Sequence, residues 1–506
     1  MPALSASFCE KLFQAIDDLK EDLVRETARV LTFETVSGSR KEEEKAKFHL
    51  EIGRCLGYLK DLSERYGLVY KDLDGIVSVI EQPGQNGGKG LGIPLHIDVV
   101  PASGEWKYPP FSGTVAEDII WGRGAQDDKG PLMACLYAII ALKKMGLKFL
   151  RPVHIVLGRG EEVGEWQDVQ YFIKKEGAPA FSFTPDAMFP IINGEKGIMN
   201  LKVNTECSTL DTGGALKFFS LAGGTRSNVV PDKAEVIFIA SSDVKDPLSD
   251  LKRELEDFKA KNPDVRYSDP ELCPTGEGCP DGIKIFFHGK SAHGSLPQEG
   301  HNAILDAVLF LSTHRAVSLE CQAYSSFLYK ACSPYYGEGL DIVREHPFVG
   351  KTTVNLGICK MSWEGGSAQI NIRPTLGFSC RDVAERAKAV VKAESEKTGV
   401  KIYIEDAQEW GREPLFVDPE QNPFFISSLQ EAYQTVTGRS PELKAIGGTT
   451  FAKAYPNCVS YGPVEPAEEK EMAHMADEHV KITHQVRNTR IYACAMALLV
   501  TDVPSM

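Results

Sequence analysis

The chain has 506 residues, 42 % of them hydrophobic and 25 % charged, with a formal net charge of −14 at pH 7. That length and composition belong to a globular protein of two or three domains with a large core. The acidic balance, without a basic run or a basic-aromatic stripe, excludes a nucleic-acid surface, and no apolar run is long enough to span a membrane.

The N-terminus lacks the basic start and apolar stretch of a signal peptide. Its twelve cysteines have no compact spacing and are expected to be reduced, in a cytoplasmic protein. Cys273 and Cys279 bracket Pro-Thr-Gly-Glu-Gly; the pair reads as a loop with two thiols rather than a redox pair or half a zinc site.

Residues 10–35 carry helical apolar spacing through Leu12, Phe13, Ile16, Leu19 and Leu23, and 41–65 predict a second amphipathic helix. Strands are predicted at 67–70, 76–80 and 90–100, then a helix at 131–145 with Pro131 in its first turn. A strand at 153–157, a helix at 166–175 and a strand at 180–183 follow. This alternation predicts a largely parallel α/β sheet. Near residue 200 the style changes. Strands at 199–203, 216–221, 235–241, 282–288, 353–359, 369–373 and 401–405 mix with helices at 248–261, 304–311 and 383–397. The tail returns to the first style with a helix at 422–437, a strand at 458–461 and a closing helix at 481–501. The expected fold is α/β: a mixed, mostly parallel sheet in a domain built from 1–200 and 412–506, with an α+β domain, 201–411, inserted between.

Acidic and histidine motifs fall where predicted strands end: His96-Ile97-Asp98, Asp127-Asp128, Glu161-Glu162 and Pro185-Asp186. Ligands of open α/β sheets sit at the carboxyl ends of strands. Burying one carboxylate is costly, and gathering several demands compensating positive charge. A pair of divalent ions is the simplest such charge. A dinuclear hydrolytic site needs a bridging carboxylate, terminal nitrogen or oxygen ligands, and a general base for water. Either Asp127 or Asp128 suits the bridge. Glu161 and Glu162 are adjacent, so an extended backbone would aim them apart; both reach one site only from an irregular loop, one as ligand and one as base. A lone His-x-Asp is weak, but the set is strong. Among the other histidines, His474 and His293 lie in loops and are further candidates, whereas His154, inside an apolar strand, reads as a packed core residue.

Taken together, His96-Ile-Asp98-Val-Val-Pro101, Gly122-Arg-Gly-Ala-Gln-Asp127-Asp-Lys-Gly130-Pro, Glu161-Glu162, Pro185-Asp186, Gly289-Lys-Ser-Ala-His293-Gly and His474-x-x-Asp477-Glu478 resemble the aminoacylase/carboxypeptidase metallopeptidases. The peptidase V dipeptidases, similar also at Pro190-Ile-Ile-Asn-Gly-Glu-Lys-Gly197, are the branch in view. The resemblance implies that Asp127 bridges two divalent metals, zinc first, with manganese or cobalt as alternates. It implies His96 and Asp186 on one ion, Glu162 and His474 on the other, and Glu161 as general base. Asp98 would orient His96, and His293 from the inserted domain, a lid on the catalytic one, would stabilise the oxyanion. Asn228, Arg373 and the loop Gly447-Gly448-Thr449 match substrate positions, Arg373 as a carboxylate clamp and the loop through its backbone N–H groups. The implied activity is hydrolysis of unblocked dipeptides by a monomer. An N-acyl amino acid deacylase is the alternative enzyme, and a metal-dependent binding protein the alternative from another class. Two departures bear on substrate choice: Asp477-Glu478-His479 stands where relatives often have Asn-Glu-Tyr, and the lid has extra sequence around 262–281.

Overall fold

A computed structural model describes residues 4–38, 41–207, 216–240, 246–273, 282–408 and 410–503. The chain divides into two compact units. The first comprises Met1–Gly194, Phe416–Ala445 and Thr450–Met506; the second comprises Glu195–Leu415 and Ile446–Thr449. Residues 446–449 thus group with the second unit, whereas the sequence reading counted them with the returning catalytic segment. Cys279, half of the expected two-thiol loop, lies outside the described residues, as does part of the extra segment around 262–281.

The first unit is built on a twisted sheet whose strands run in the order Val69–Leu73, Val77–Gln82, Val153–Gly158, Leu91–His96, Phe181–Thr184, Cys458–Ser460 and Ile191–Glu195. From Val153–Gly158 to Cys458–Ser460 the neighbours are parallel, and the flanking pairs are antiparallel. Strands at the parallel centre are apolar and buried on both faces, as a sheet covered on each side requires. Leu91–His96 is buried at every position. The helices Lys129–Lys144 and Ile482–Val500 pack against each other. The first is buried all round from Lys129 to Leu142, which is the fate of a helix with no polar face. Each fully buried leucine or isoleucine there contributes about 1.5–3 kcal/mol. Phe183 of the sheet stacks on Tyr492 of the closing helix, with ring centroids 5.7 Å apart.

The second unit carries an antiparallel sheet in the order Glu271–Cys273, Gly282–His288, Lys233–Ala240, Leu216–Gly223, Thr353–Ser362, Gly365–Arg373, Met199–Glu206 and Ile402–Ile404. Met199, Leu201, Val203 and Thr205 are buried while Asn200, Lys202 and Glu206 are exposed. That alternation marks a sheet with one covered face. Its core draws on the helices Pro247–Lys261, Ala303–Leu311, Leu319–Cys332 and Cys380–Thr398.

The sequence reading passed over the strands Thr114–Ala116, Ile119–Trp121, Ile191–Glu195, Glu271–Cys273 and His479–Lys481, and two helical regions depart from it. The stretch 10–35 forms two helices, Ala6–Asp17 and Lys20–Val30, that meet at Asp18 and Leu19. The helix Leu319–Cys332 was not foreseen: its buried face mixes cysteines and Ser325 with Tyr324, Phe327 and Leu328, while Leu319 is 80 % exposed. The apolar contrast that reveals a helix is weak there.

A small antiparallel sheet, Thr114–Ala116, Ile119–Trp121 and His479–Lys481, brings the C-terminal segment to the turn that carries Asp127. Trp121 pairs with His479, so Glu478 faces the turn at Gly122 to Asp127. Its carboxylate accepts from Arg123 Nη1 at 2.6 Å, from Gln126 N at 2.9 Å and from Asp127 N at 3.2 Å. Both Arg123 and Glu478 are buried. Burial and the Asp127 charge push the Glu478 carboxyl up to about 7, against the pull of Arg123. Gly130 closes the turn: its N–H donates to Gly124 O, and a Cβ there would come 2.0 Å from Ala125 O. Removing one partner of a buried, hydrogen-bonded ion pair strands the other charge. Arg123→Ala is therefore expected to cost about 3–5 kcal/mol of stability, read as a lower urea midpoint; a loss below about 1 kcal/mol would contradict this account.

Candidate active site and metal centre

Three neighbouring parallel strands point their carboxyl ends the same way, and each delivers a candidate. Leu91–His96 ends on His96, Val153–Gly158 leads to Glu161 and Glu162, and Phe181–Thr184 leads to Asp186. Asp127 comes from the turn before the helix Lys129–Lys144, across a cis Asp127–Asp128 peptide. His474 arrives on the C-terminal segment with φ +64°. All these residues belong to the first unit.

Asp127 divides its two oxygens. Oδ1 lies 2.9 Å from His96 Nε2, which is also 3.9 Å from Asp186 Oδ1. Oδ2 lies 3.2 Å from His474 Nε2, which is 2.9 Å from Glu162 Oε2. The result is two sets, His96 with Asp186 and His474 with Glu162, sharing one carboxylate. Single ligand atoms of His96, Asp127 and Glu162 fall within 4.8 Å of one another. That proximity, with imidazole and carboxylate as the donors, fits a shared metal centre.

The donor set also fits a cation by its hydrogen bonding. His96 Nδ1 donates to Asp98 O at 2.9 Å, so Nε2 presents a lone pair. Nε2 and Asp127 Oδ1 are both buried, and neither makes a hydrogen bond among the described residues. An imidazole nitrogen and a carboxylate oxygen 2.9 Å apart take a positive charge between them, a proton on the ring or a metal ion. Burial alone would lower the His96 pKa, but Asp127, Asp186 and Asp98 outweigh it and raise it well above the usual range. Asp127 and Glu162 raise His474 to about 10. Burial lifts the Asp186 carboxyl to about 7. Burial, then the charge of Asp186, lifts Glu161 well above an ordinary glutamate.

Asp98 plays a larger part than the sequence reading gave it. The contact that orients His96 is its backbone carbonyl; the carboxylate Oδ1 stands 3.5 Å from Nδ1. The carboxylate oxygens instead accept from Glu161 N at 3.3 Å and Glu162 N at 3.2 Å. They hold the 3₁₀ turn Glu161–Val163, the irregular backbone that lets adjacent glutamates serve one site. Sequence reasoning passed over three supports. Asp128 accepts from His96 N at 3.3 Å. Arg123 pairs with Glu478, as described above. Gln126 accepts from Met472 N at 2.7 Å and so ties the His474 segment. A buried polar residue beside each motif was the available signal.

The remaining candidates lie together in the second unit. His293 follows the strand Gly282–His288, and Gly294 N donates to Asn228 O at 2.7 Å. Arg373, 2 % exposed, donates from Nε to Asn371 Oδ1 at 3.0 Å and from Nη1 to Gly447 O at 2.7 Å. Gly447 thus uses its carbonyl to hold the guanidinium, a use of the loop that the sequence reading did not include. Thr449 Oγ1 is buried without a hydrogen-bond partner among the described residues. Lys196, in the Asn193-Gly-Glu-Lys-Gly stretch, joins this group: its N–H donates to Ile446 O at 3.0 Å. Burial and the Arg373 charge bring its ammonium down to about 8. Burial, then Arg373, also lowers His293. His154, read as a core residue, is half-buried and 3.2 Å from Glu81 Oε2. No helix among the described residues is long and apolar enough to cross a membrane.

Known proteins match this chain over nearly its whole length. The model of "Peptidase family M20/M25/M40" matches residues 92–498. "Putative dipeptidase YtjP" of Bacillus subtilis is 30 % identical over 94 % of this chain and 97 % of its own. A "Putative dipeptidase" of Staphylococcus epidermidis is 31 % identical over 97 % of this chain and 99 % of its own. The crystal structure of human carnosine dipeptidase 1 superposes with a TM-score of 0.56 at 16 % identity, covering 98 % of this chain and 99 % of that one, a likeness of fold. The chain belongs to peptidase family M20/M25/M40, hydrolases that use divalent metals.

Proposed function

We propose that this peptidase is a dinuclear metallo-dipeptidase that cleaves the amide bond of short, unblocked peptides. The observation that carries the reading is the division of Asp127, one oxygen toward His96 and the other toward His474. Each imidazole has its own second carboxylate, Asp186 and Glu162. The relatives named as dipeptidases, aligned nearly end to end, support the substrate class. Zinc is the first candidate metal, with manganese or cobalt as alternates, because the set offers imidazole and carboxylate without thiolate. The ions, when bound, polarise the scissile carbonyl and acidify the attacking water.

Glu161 is the general base. Its turn is fixed by Asp98, and a carboxyl whose proton affinity is raised by burial is suited to taking a proton from water and returning it to the leaving amine. In the second unit, His293 is the donor to the developing oxyanion and Arg373 the clamp on the substrate's free carboxylate, with Asn228 and the Gly447-Gly448-Thr449 loop beside them. The cysteines of the described residues are free thiols, in keeping with a reducing, cytoplasmic setting. The resemblance to the peptidase V dipeptidases is the basis for proposing a monomer.

Metal analysis paired with a substrate panel tests the reading. Two ions per chain and turnover of free dipeptides in preference to N-acetyl amino acids are expected; the reverse preference would make the enzyme a deacylase. Glu161→Gln is expected to lower kcat by about 10²–10⁴-fold while keeping both ions, and wild-type turnover by this variant would exclude Glu161 as the base. His474→Ala removes the ligand of one ion only, so metal content is expected to fall from two ions to one. Chelation by EDTA is expected to abolish turnover and lower the melting temperature, since an ion bound only by the folded chain stabilises it.

A further inference from the structure

Ser295 is used by neither the reaction scheme nor the sequence motifs, yet it is buried between two of their parts. Its backbone N–H donates to His293 Nδ1 at 3.3 Å, and its Oγ lies 2.6 Å from the same nitrogen. The position of a backbone N–H is fixed, so Nδ1 facing it is an acceptor. The hydroxyl hydrogen can rotate and then donates to Nδ1 as well. In a neutral imidazole the one ring proton must therefore sit on Nε2.

That choice has a chemical consequence. Burial and the nearby Arg373 charge favour the neutral ring. A neutral ring protonated at Nδ1 would turn a lone pair toward an oxyanion and repel it; a ring protonated at Nε2 donates to it. Ser295 is also wedged in place. Its carbonyl accepts from Thr353 Oγ1 at 3.2 Å. On the other side, a Cβ at Gly447 would fall 2.5 Å from both Cβ and Oγ of Ser295. The Gly447 carbonyl, in turn, holds Arg373. Ser295 thus touches the proposed oxyanion donor on one side and the proposed carboxylate clamp on the other, all within the second unit.

We propose that Ser295 is a positioning residue for dipeptide hydrolysis: it fixes His293 as the Nε2–H tautomer and ties that donor to the Arg373–Gly447 clamp. The proposal rests on the reading of His293 given above. The test compares Ser295→Thr with Ser295→Val in the metal-loaded enzyme. The two side chains have the same shape and differ by the hydroxyl alone. The Thr variant is expected to exceed the Val variant in kcat by about ten-fold with similar KM, as for an interaction made in the transition state only. In wild-type protein with ¹⁵N-labelled histidine, with the His293 signals identified from a His293→Ala sample, Nδ1 is expected to resonate as an unprotonated ring nitrogen. Equal kcat for the Thr and Val variants, or a protonated Nδ1 in the wild type, would overturn the proposal. A His293→Ala variant with wild-type kcat would instead sink the reading of His293. An inactive His293→Ala beside equal Thr and Val variants would sink the Ser295 proposal alone.

Discussion

The constraint on which the first unit turns is the crowding of carboxylates around Asp127. Asp127, Asp186, Glu161 and Glu162 converge with two imidazoles at the ends of three parallel strands. Each buried carboxylate is unfavourable alone and repels the next. The proton affinities of His96, His474 and Asp186 rise in response, which is the electrostatic signature of a place that draws cations. Much of the surrounding structure resists this repulsion. Glu478, itself acidic, is tolerable beside Asp127 because Arg123 neutralises it, and in exchange it accepts both N–H groups that set the Asp127 turn.

The two histidines proposed for opposite tasks show how a backbone partner selects a tautomer. His96 donates from Nδ1 to Asp98 O and so offers a lone pair at Nε2, as a metal ligand must. His293 accepts at Nδ1 from Ser295 N and so offers a proton at Nε2. The ring is the same in both places; the neighbour two residues on supplies a carbonyl in one case and an N–H in the other. Function is thus written partly in local backbone geometry, and residue identity at His96 or His293 alone does not carry it.

This explains what was legible in the sequence. Apolar runs bounded by glycines revealed most central strands and the buried helices, and motif order revealed the ligand candidates His96, Asp127, Glu162, Asp186 and His474. The adjacency of Glu161 and Glu162 foretold an irregular turn, and a 3₁₀ turn is there. Contacts far apart in the chain were hidden. Arg123 and Glu478 are 355 residues apart and Gln126 and Met472 are 346 apart, and nothing in either local pattern names its partner. The second use of the Asp98 carboxylate was hidden for the same reason: besides standing 3.5 Å from His96 Nδ1, it accepts from the N–H groups of Glu161 and Glu162 on another loop. Ser295 escaped because a serine beside a motif histidine has many ordinary uses as a turn residue.

Asp477 shows the same logic applied to a departure. Relatives often carry asparagine there, and an ionised aspartate cannot donate as an amide does. In the fold, however, the position needs an acceptor. Asp477 Oδ1 takes the N–H of Lys107 at 2.6 Å, and the residue sits at φ +60°, a conformation that aspartate and asparagine both tolerate. His474, three residues earlier, also has positive φ. Its placement is imposed from outside by three ties: Met472 to Gln126, Asp477 to Lys107, and Glu478 to the Asp127 turn. Two of these ties end on the segment that carries Asp127. The histidine and the carboxylate beside it are therefore positioned by common supports, so a displacement of one displaces the other.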